Sequence, residues 1–525
     1  MIAVAANAED LPVIAEFFEL FKTPWQPFQP GCRAEVLLCA QPEVPANTAK
    51  LLLLYTGGET EFDRTHRLVV QAAPAGILLK HVGEALPIYG RCLRLPPTTE
   101  PVLHRIRSQA QSVVRLGYDL FGEVRYLLAN GQPPEQATNP TLEIHIALLR
   151  ELIISHGLPL VEIPPVPAGS KFITCLTHDV DHVGIRNHRL DHTLLGFLYR
   201  ATVGSVRDVW RGRKTLGQLA ANWLAVLKLP GVHVGLVKDF WYQFEHYIAL
   251  EAGRPSTFFV IPKQGETGLD ARGNRPPKRA ASYQATELKP ELDRLQAAGK
   301  EVGVHGLDAW RAAAAGEEEK QIMARLTGAG ELGVRMHWLY FDDRSPVELE
   351  RAGFVYDSTV GYNGTIGYRA GTTQVYKPLT VTRLLELPMH VMDTALFYPS
   401  YLNLSPAQAD QKIRPLVATA IRHGGVLTVN WHDRSIAPER QWEGSYCRLM
   451  ADCEAAGAWF ATAAQTVGWF QKRRQATFAM TQEGQLKIQA VSGAEKLPAL
   501  RVRLTRGAEM IEKLLSDGEE LCLAV

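Results

Sequence analysis

Residues 172–182 read FITCLTHDVDH, an apolar run that ends by delivering two carboxylates, Asp179 and Asp181. A run this short predicts a buried strand, and acids at its carboxyl end predict a site beside a core. Six further apolar runs repeat the plan downstream: STFFVIP (256–262), EVGVH (301–305), GVRMHW (333–338), FVYDST (354–359), LLELPM (384–389) and VLTVNWH (426–432). Helical patterns lie between several of them, such as ATELKPELDRLQAAGK and PAQADQKIRPLVATAIRHGG, with glycine as the stop. Strands and helices in alternation predict βα units. The fold expected for residues 171–471 is therefore α/β, a (β/α) barrel of about seven strands.

In such a barrel the carboxyl ends of all strands share one face. Asp179, Asp181, His305, Arg335, His337, Asp357 and His432 all fall at or near strand ends, so they are expected to converge although far apart in sequence. Two carboxylates two residues apart can divide labour, one binding a cation and the other accepting a proton from water. A capped turn with solvated acids is the plainer account of such a pair, but the neighbouring histidine and the strand-end position favour a site. His305 ends its strand before a turn at Gly306, and neutral imidazole beside carboxylate suits zinc or a similar divalent ion. Arg335 offers a fixed charge to orient Asp179, and a salt bridge at the barrel mouth would serve the same end. His432 can donate a proton to a leaving amine, with Asp433 a candidate to set its tautomer.

Outside this segment the reading is coarser. Residues 1–165 mix strand-like runs (EVLLCA, KLLLLYTG, AGILLKHV) with the helical TLEIHIALLRELIISHG, and end at the Pro-rich joint LPLVEIPPVPAGS. They are expected to form an accessory α/β domain in which His145 and His156 are structural. Residues 472–525 alternate in the manner of strands and predict a small β appendage. Between the first two barrel strands lies a helical insertion, 183–251. Its basic first part, 183–228, would pack on the barrel rim or else serve as a lid, a partner surface or a peripheral membrane contact.

The chain has 525 residues, 46% of them hydrophobic and 21% charged, the composition of a globular protein of two or three domains. With 56 basic against 55 acidic residues, no overall field favours nucleic acid. Seven scattered cysteines fit a reducing compartment. The start, MIAVAANAEDLPVIAEFFELF, lacks the basic and apolar regions of an export signal, and no run is long and apolar enough to span a membrane. A cytoplasmic protein is expected.

The order of segments, THDVD after a strand, STFFVIP, GKEVGVHG, GVRMHW, ELP and LTVNWH, resembles the polysaccharide deacetylases, the NodB-homology fold of carbohydrate esterase family 4. The likeness spans about 171–471, more than half of the chain. It implies a deformed barrel and a divalent metal held by one Asp and two His. Transferred by motif, Asp179 is the base, Asp181 and His305 are metal ligands, Arg335 is the charge partner of the base, and His432 is the general acid. The stretch FVYDSTVGYNGTIGYRAGT (354–372) is similar to one that shapes the substrate cleft in a branch of the family. Two departures stand out. The second His usual four residues after the first is Ala309, leaving His337, Asp308 or His182 to complete the site, with His337 first. The acids are also separated by an inserted residue.

The function that the resemblance implies is removal of an acetyl group from an N-acetylated or O-acetylated sugar or glycan precursor by a metal-activated water. Zinc is the first choice of metal, with cobalt, nickel or manganese as alternatives. Trp338, Tyr362 and Trp431 are candidates to stack on sugar rings. A C–N hydrolase of a non-sugar amide, and a non-catalytic glycan-binding or scaffold protein with a degenerate metal site, are the competing readings.

Overall fold

The computed structural model describes residues 1–524 apart from 75, 82, 96–101, 108–110 and 492–496. The two ends of the AGILLKHV run and the close of ATFAMTQEGQLKIQAVSG thus lie outside the described residues.

Of the apolar runs in the first 165 residues, AGILLKHV pairs in a separate hairpin, Ile77–His81 with Glu84–Ile88, while EVLLCA and KLLLLYTG join a six-stranded sheet in the order Trp25–Pro27, Ile2–Ala5, Val36–Cys39, Leu51–Tyr55, Ser112–Leu116, Leu103–Arg107. It is parallel except for its last pair. Helices Leu11–Phe21, Leu120–Ala129 and Thr141–Ser155 bury their apolar sides against it. His145 is buried in the last of these, with Nδ1 3.3 Å from the Tyr118 hydroxyl, and burial pushes its pKa down to about 3. It is packed as a neutral ring.

The barrel sheet holds nine strands. Phe172–Val180 is central, and on one side of it run Thr257–Val260, Glu301–Gly306, Val334–Met336, Tyr356–Asp357 and Leu385–Glu386, all parallel. On the other side lie Val426–Asn430 and Val391–Met392. Leu385–Glu386 and Val391–Met392 are consecutive in the chain, yet sit at opposite edges of the sheet. One segment therefore reaches both edges, and the sheet curls round on itself. All seven expected runs are strands of this sheet. Two strands have no counterpart among those runs: Val391–Met392 at one edge, and Ala458–Ala461, which pairs with the start of the central strand, Phe172–Cys175, below the point where Thr257–Val260 takes over.

Helices cover the outside of the barrel. Pro406–His423 shows why they start and stop where they do. The Ser405 hydroxyl accepts from the Gln408 amide in a capping box, and Pro406 opens the first turn. The helix ends at Gly424, whose φ of +77° and close approach to Val166 and Pro165 exclude any side chain.

The C-terminal strands make two three-stranded sheets, and one of them incorporates Leu160–Glu162 from the Pro-rich joint. Their core, with Trp469, Leu500 and Val502, runs into Ile173 and Tyr356 at the amino-terminal ends of their strands and reaches up to Phe259. The appendage therefore closes the barrel floor, opposite the face where the strand-end acids lie.

The insertion folds as helices His192–Tyr199, Ser205–Trp210, Leu216–His233 and Phe244–Leu250, with a π-helical turn at Arg200–Gly204. It has a small core of its own, including Phe197, Leu229 and Trp241, which meets the rim at Ala437. No helix among the described residues is long and apolar enough to cross a membrane.

Candidate metal centre and catalytic groups

Alternation along the central strand sets the site. Side chains two apart share a face, so Thr177 and Asp179 point into the barrel mouth with Asp181 just beyond them, while His178 points the other way. His178 is fully buried, with Nδ1 2.7 Å from the Trp431 carbonyl oxygen and Nε2 2.7 Å from Glu251. The residue inserted between the two acids is what puts both on one face.

Three ligand-type side chains meet at Asp181. Its Oδ1 lies 3.4 Å from Nε2 of His305 and 3.4 Å from Nε2 of His337. The three ligand atoms all lie within 4.8 Å of one another. His305 donates Nδ1–H to the Arg335 carbonyl at 2.9 Å, which leaves Nε2 as a bare lone pair aimed at the cluster. Asp181 Oδ1 is buried and has no hydrogen-bond partner. A buried carboxylate oxygen facing two imidazole nitrogens, with none donating to it, is the environment that a divalent cation satisfies. The donor set of one carboxylate and two imidazoles suits zinc and its first-row neighbours. His337 differs from His305 in that its Nδ1 has no partner. Burial pushes its pKa down to about 3, so it is a neutral ring with a lone pair to give.

The other two candidate ligands stand apart. His182 turns Nδ1 to His188 at 3.3 Å, and Asp308 accepts from the Leu269 amide at 2.8 Å. Asp357 also departs from expectation. It is buried and hydrogen-bonded to Glu386 and Thr359 instead of facing the cluster. Burial raises both carboxyls of the Asp357–Glu386 pair, Asp357 to about 6.

Asp179 occupies the next position. Arg335 Nη1 donates to its Oδ1 at 3.0 Å and Asn430 Nδ2 to its Oδ2 at 2.7 Å. His305 Nε2 stands 3.8 Å from that Oδ2. Burial works to raise its pKa, but the neighbouring His305, Arg335 and His432 outweigh it and hold the carboxyl below the ordinary value. Arg335 is itself fully buried, donating to Thr177 Oγ1 and to Ser358 O and Oγ, with its guanidinium 4.6 Å from the Phe259 ring centre. Removing it strands a charge. Arg335→Met is expected to cost roughly 3–5 kcal/mol at neutral pH, read as a lower urea midpoint. Because the native Asp179 pKa is depressed, its ionised form adds stability above the carboxylate range and loses it as pH falls through the native pKa. The deficit of the variant must then shrink toward pH 3, and a deficit that does not change with pH would show that Asp179 is not the stranded charge.

His432 faces the same mouth, with Nε2 3.9 Å from Asp181 Oδ2. Its Nδ1 pairs with Asp393 Oδ1 at 2.7 Å, and its backbone amide donates to Asp393 Oδ2 at 2.7 Å. Burial alone would lower the pKa of this ring, but Asp393, then Asp181 and Asp179, raise it to about 10. The tautomer-setting acid is thus Asp393, not Asp433, whose Oδ2 accepts from the His182 amide and whose pKa burial lifts to about 7. Asp393 follows a two-residue strand with no apolar run long enough to announce it.

The aromatic expectations divide. Trp431 is 0% exposed and packs against Phe397 and Tyr446, so it has no face to offer a sugar. Tyr362 is buried and donates its hydroxyl to the Gln132 carbonyl across the junction with the first 165 residues. A strand-end address does not fix which way a large ring turns, and both turned inward. Trp338 is 39% exposed, its ring 5.8 Å from His337. Trp338 and Leu339 have φ of +66° and +54°, a strained pair of non-glycine residues beside the cluster. Arg279, unmarked in the sequence, donates to the carbonyls of His337 and Leu307 at 2.9 Å and braces that turn.

Fold and site together define a class: a curled parallel (β/α) barrel with a carboxylate–imidazole cluster at the carboxyl ends of its strands. No family model matches the chain, and no curated protein matches it. Among solved structures, it aligns with a Mycobacterium smegmatis protein assigned as a polysaccharide deacetylase at 16% identity and a TM-score of 0.37, over 61% of this chain and 99% of that one. A Pseudomonas aeruginosa PAO1 protein assigned likewise aligns at 12% identity and 0.37, over 59% and 94%. A mutant of a carbohydrate esterase family 4 pseudoenzyme aligns at 12% and 0.28, over 58% and 72%.

Proposed function

We propose that the chain is a divalent-metal-dependent hydrolase that removes the acetyl group from an N-acetylated or O-acetylated sugar or glycan precursor. The observation that carries the reading is the partnerless Asp181 Oδ1 between the Nε2 atoms of His305 and His337. A cation held by these three residues, zinc first and cobalt, nickel or manganese next, would supply Lewis acidity at the acyl oxygen and lower the pKa of water.

The chain's own groups do the rest. Asp179, kept ionised, accepts the proton of the attacking water. The new C–O bond forms at the acyl carbon as the C–N or C–O bond to the sugar breaks. His432, protonated through Asp393, gives its Nε2 proton to the leaving nitrogen or oxygen. Acetate and the free amine or alcohol leave. Arg335 is a positioning residue, because it touches Asp179 and not the substrate.

Purified protein should carry close to one divalent ion per chain and release acetate from at least one N- or O-acetylated sugar. A chelator should stop the release and the metal restore it. Protein without bound metal that releases no acetate from sugars or amides would return the chain to the scaffold reading. A second hydrolase reading, on a non-sugar amide, draws support from the burial of Trp431 and Tyr362, which leaves Trp338 as the aromatic face at the mouth. Plain amides in the same screen separate the two.

A further inference from the structure

The insertion carries a surface that the proposed chemistry does not use. Among the described residues, half of the large apolar side chains left exposed fall between 190 and 236, including Trp210 at 83%, Leu227 at 77% and Leu236 at 86%. Helix Leu216–His233 carries apolar side chains on both its inner and its outer face. Ala225, Leu229 and Val232 enter the small core of the insertion while Leu216, Trp223 and Leu227 face outward. A helix of that pattern is stable when something apolar covers its second face.

Charge says what covers it. Residues 183–236 hold eight Lys and Arg against two acids, in a chain whose 56 basic and 55 acidic residues nearly balance as a whole. Helices Ser205–Trp210 and Leu216–His233 enclose an apolar groove of about 730 Å³ lined by Val203, Val206, Arg207, Trp210, Trp223 and Leu227. Beside it lies a cavity of about 300 Å³ whose charged lining is Arg200, Arg207, Arg211, Arg213, Lys214 and Arg440 against two acids, Asp208 and Glu439. Arg207 borders both. Arg200 Nε is buried with no hydrogen-bond partner. Burial, then Arg434 and Arg440, lower the Arg200 pKa to about 10, with Glu439 acting against them, and the cavity keeps an excess of positive groups.

We propose that residues 183–236 seat the protein on an anionic lipid surface, with the outer apolar face in the headgroup and acyl boundary and the basic cavity taking a lipid phosphate. Adjacent apolar groove and cationic cavity match the two ends of a phospholipid, and the two exposed tryptophans suit the membrane interface. A second copy of the chain is a poorer occupant, since a two-fold contact would set this basic face against itself.

The test is co-sedimentation of the full chain with phosphatidylcholine vesicles, with and without phosphatidylglycerol. The anionic vesicles should retain the protein at least about tenfold better, and added salt should reverse this. Trp210→Ser with Leu227→Ser, and separately Arg207→Glu with Arg211→Glu, should each weaken retention roughly tenfold or more. All four side chains are exposed, so the thermal midpoint should hold. The proposal is overturned by equal retention on neutral vesicles, by no retention on either, or by light scattering that shows a dimer abolished by the Trp210 and Leu227 pair. Metal content and acetate release from a soluble substrate are independent of this surface, so the two proposals fail separately.

Discussion

Asp181→Asn is expected to empty the metal centre and to lower acetate release by at least roughly 10³-fold. Asp181 is the carboxylate of the three-residue ligand set, so its replacement removes the ligand charge that offsets a divalent ion and leaves two imidazoles. Two imidazoles alone hold such an ion weakly. The fold has little reason to suffer. Asp181 Oδ1 makes no hydrogen bond, and the side chain keeps about a fifth of its surface in solvent. The amide keeps the shape of the carboxylate. Bound metal per chain and the urea midpoint together separate loss of ligation from loss of folding. A variant that retained metal at the wild-type level would remove Asp181 from the ligand set, and with it the geometry on which the hydrolase reading stands.

The same cluster shows what a sequence can and cannot give. Seven barrel strands were legible because each is a short apolar run with a polar or charged residue at its exit, a pattern with a period and a direction. The convergence of Asp179, Asp181, His305, Arg335, His337 and His432 followed from the rule that strand exits share a face. Ala458–Ala461 was not legible, since its side chains are mixed in burial and it pairs only with the first turn of residues in the central strand. Trp431 and Tyr362 sit at addresses next to functional residues, but the direction of a ring depends on neighbours such as Phe397 and Gln132 that come from distant segments. Asn430, Arg279 and Asp393 act through hydrogen bonds across the barrel, to Asp179, to the His337 carbonyl and to His432. No local pattern encodes such pairings. The insertion was legible as helical and basic, whereas its doubly apolar helix emerges only when the buried and exposed faces can be told apart.

Asp393 allows the sharpest test of the acid. Asp393→Asn removes the charge that raises the His432 pKa most, while the charges of Asp181 and Asp179 stay in place. The His432 pKa should therefore drop from about 10 by about one to three units. A general acid works only while protonated, so the basic limb of the kcat/KM profile should move to lower pH by the same amount. The rate at the optimum should fall roughly 10²- to 10⁴-fold as the ring loses its oriented tautomer. Stability supplies an independent sign. A histidine whose native pKa is raised adds stability that is complete below its unfolded value and is lost as pH climbs through the native one. The variant should therefore be weakest relative to wild type below about pH 6.5 and approach it above about pH 10. Asp393 does not belong to the Asp181, His305 and His337 cluster, so bound metal should be unchanged. A basic limb that stays where it was, in a folded and metal-loaded variant, would mean that the proton for the leaving group comes from somewhere other than His432.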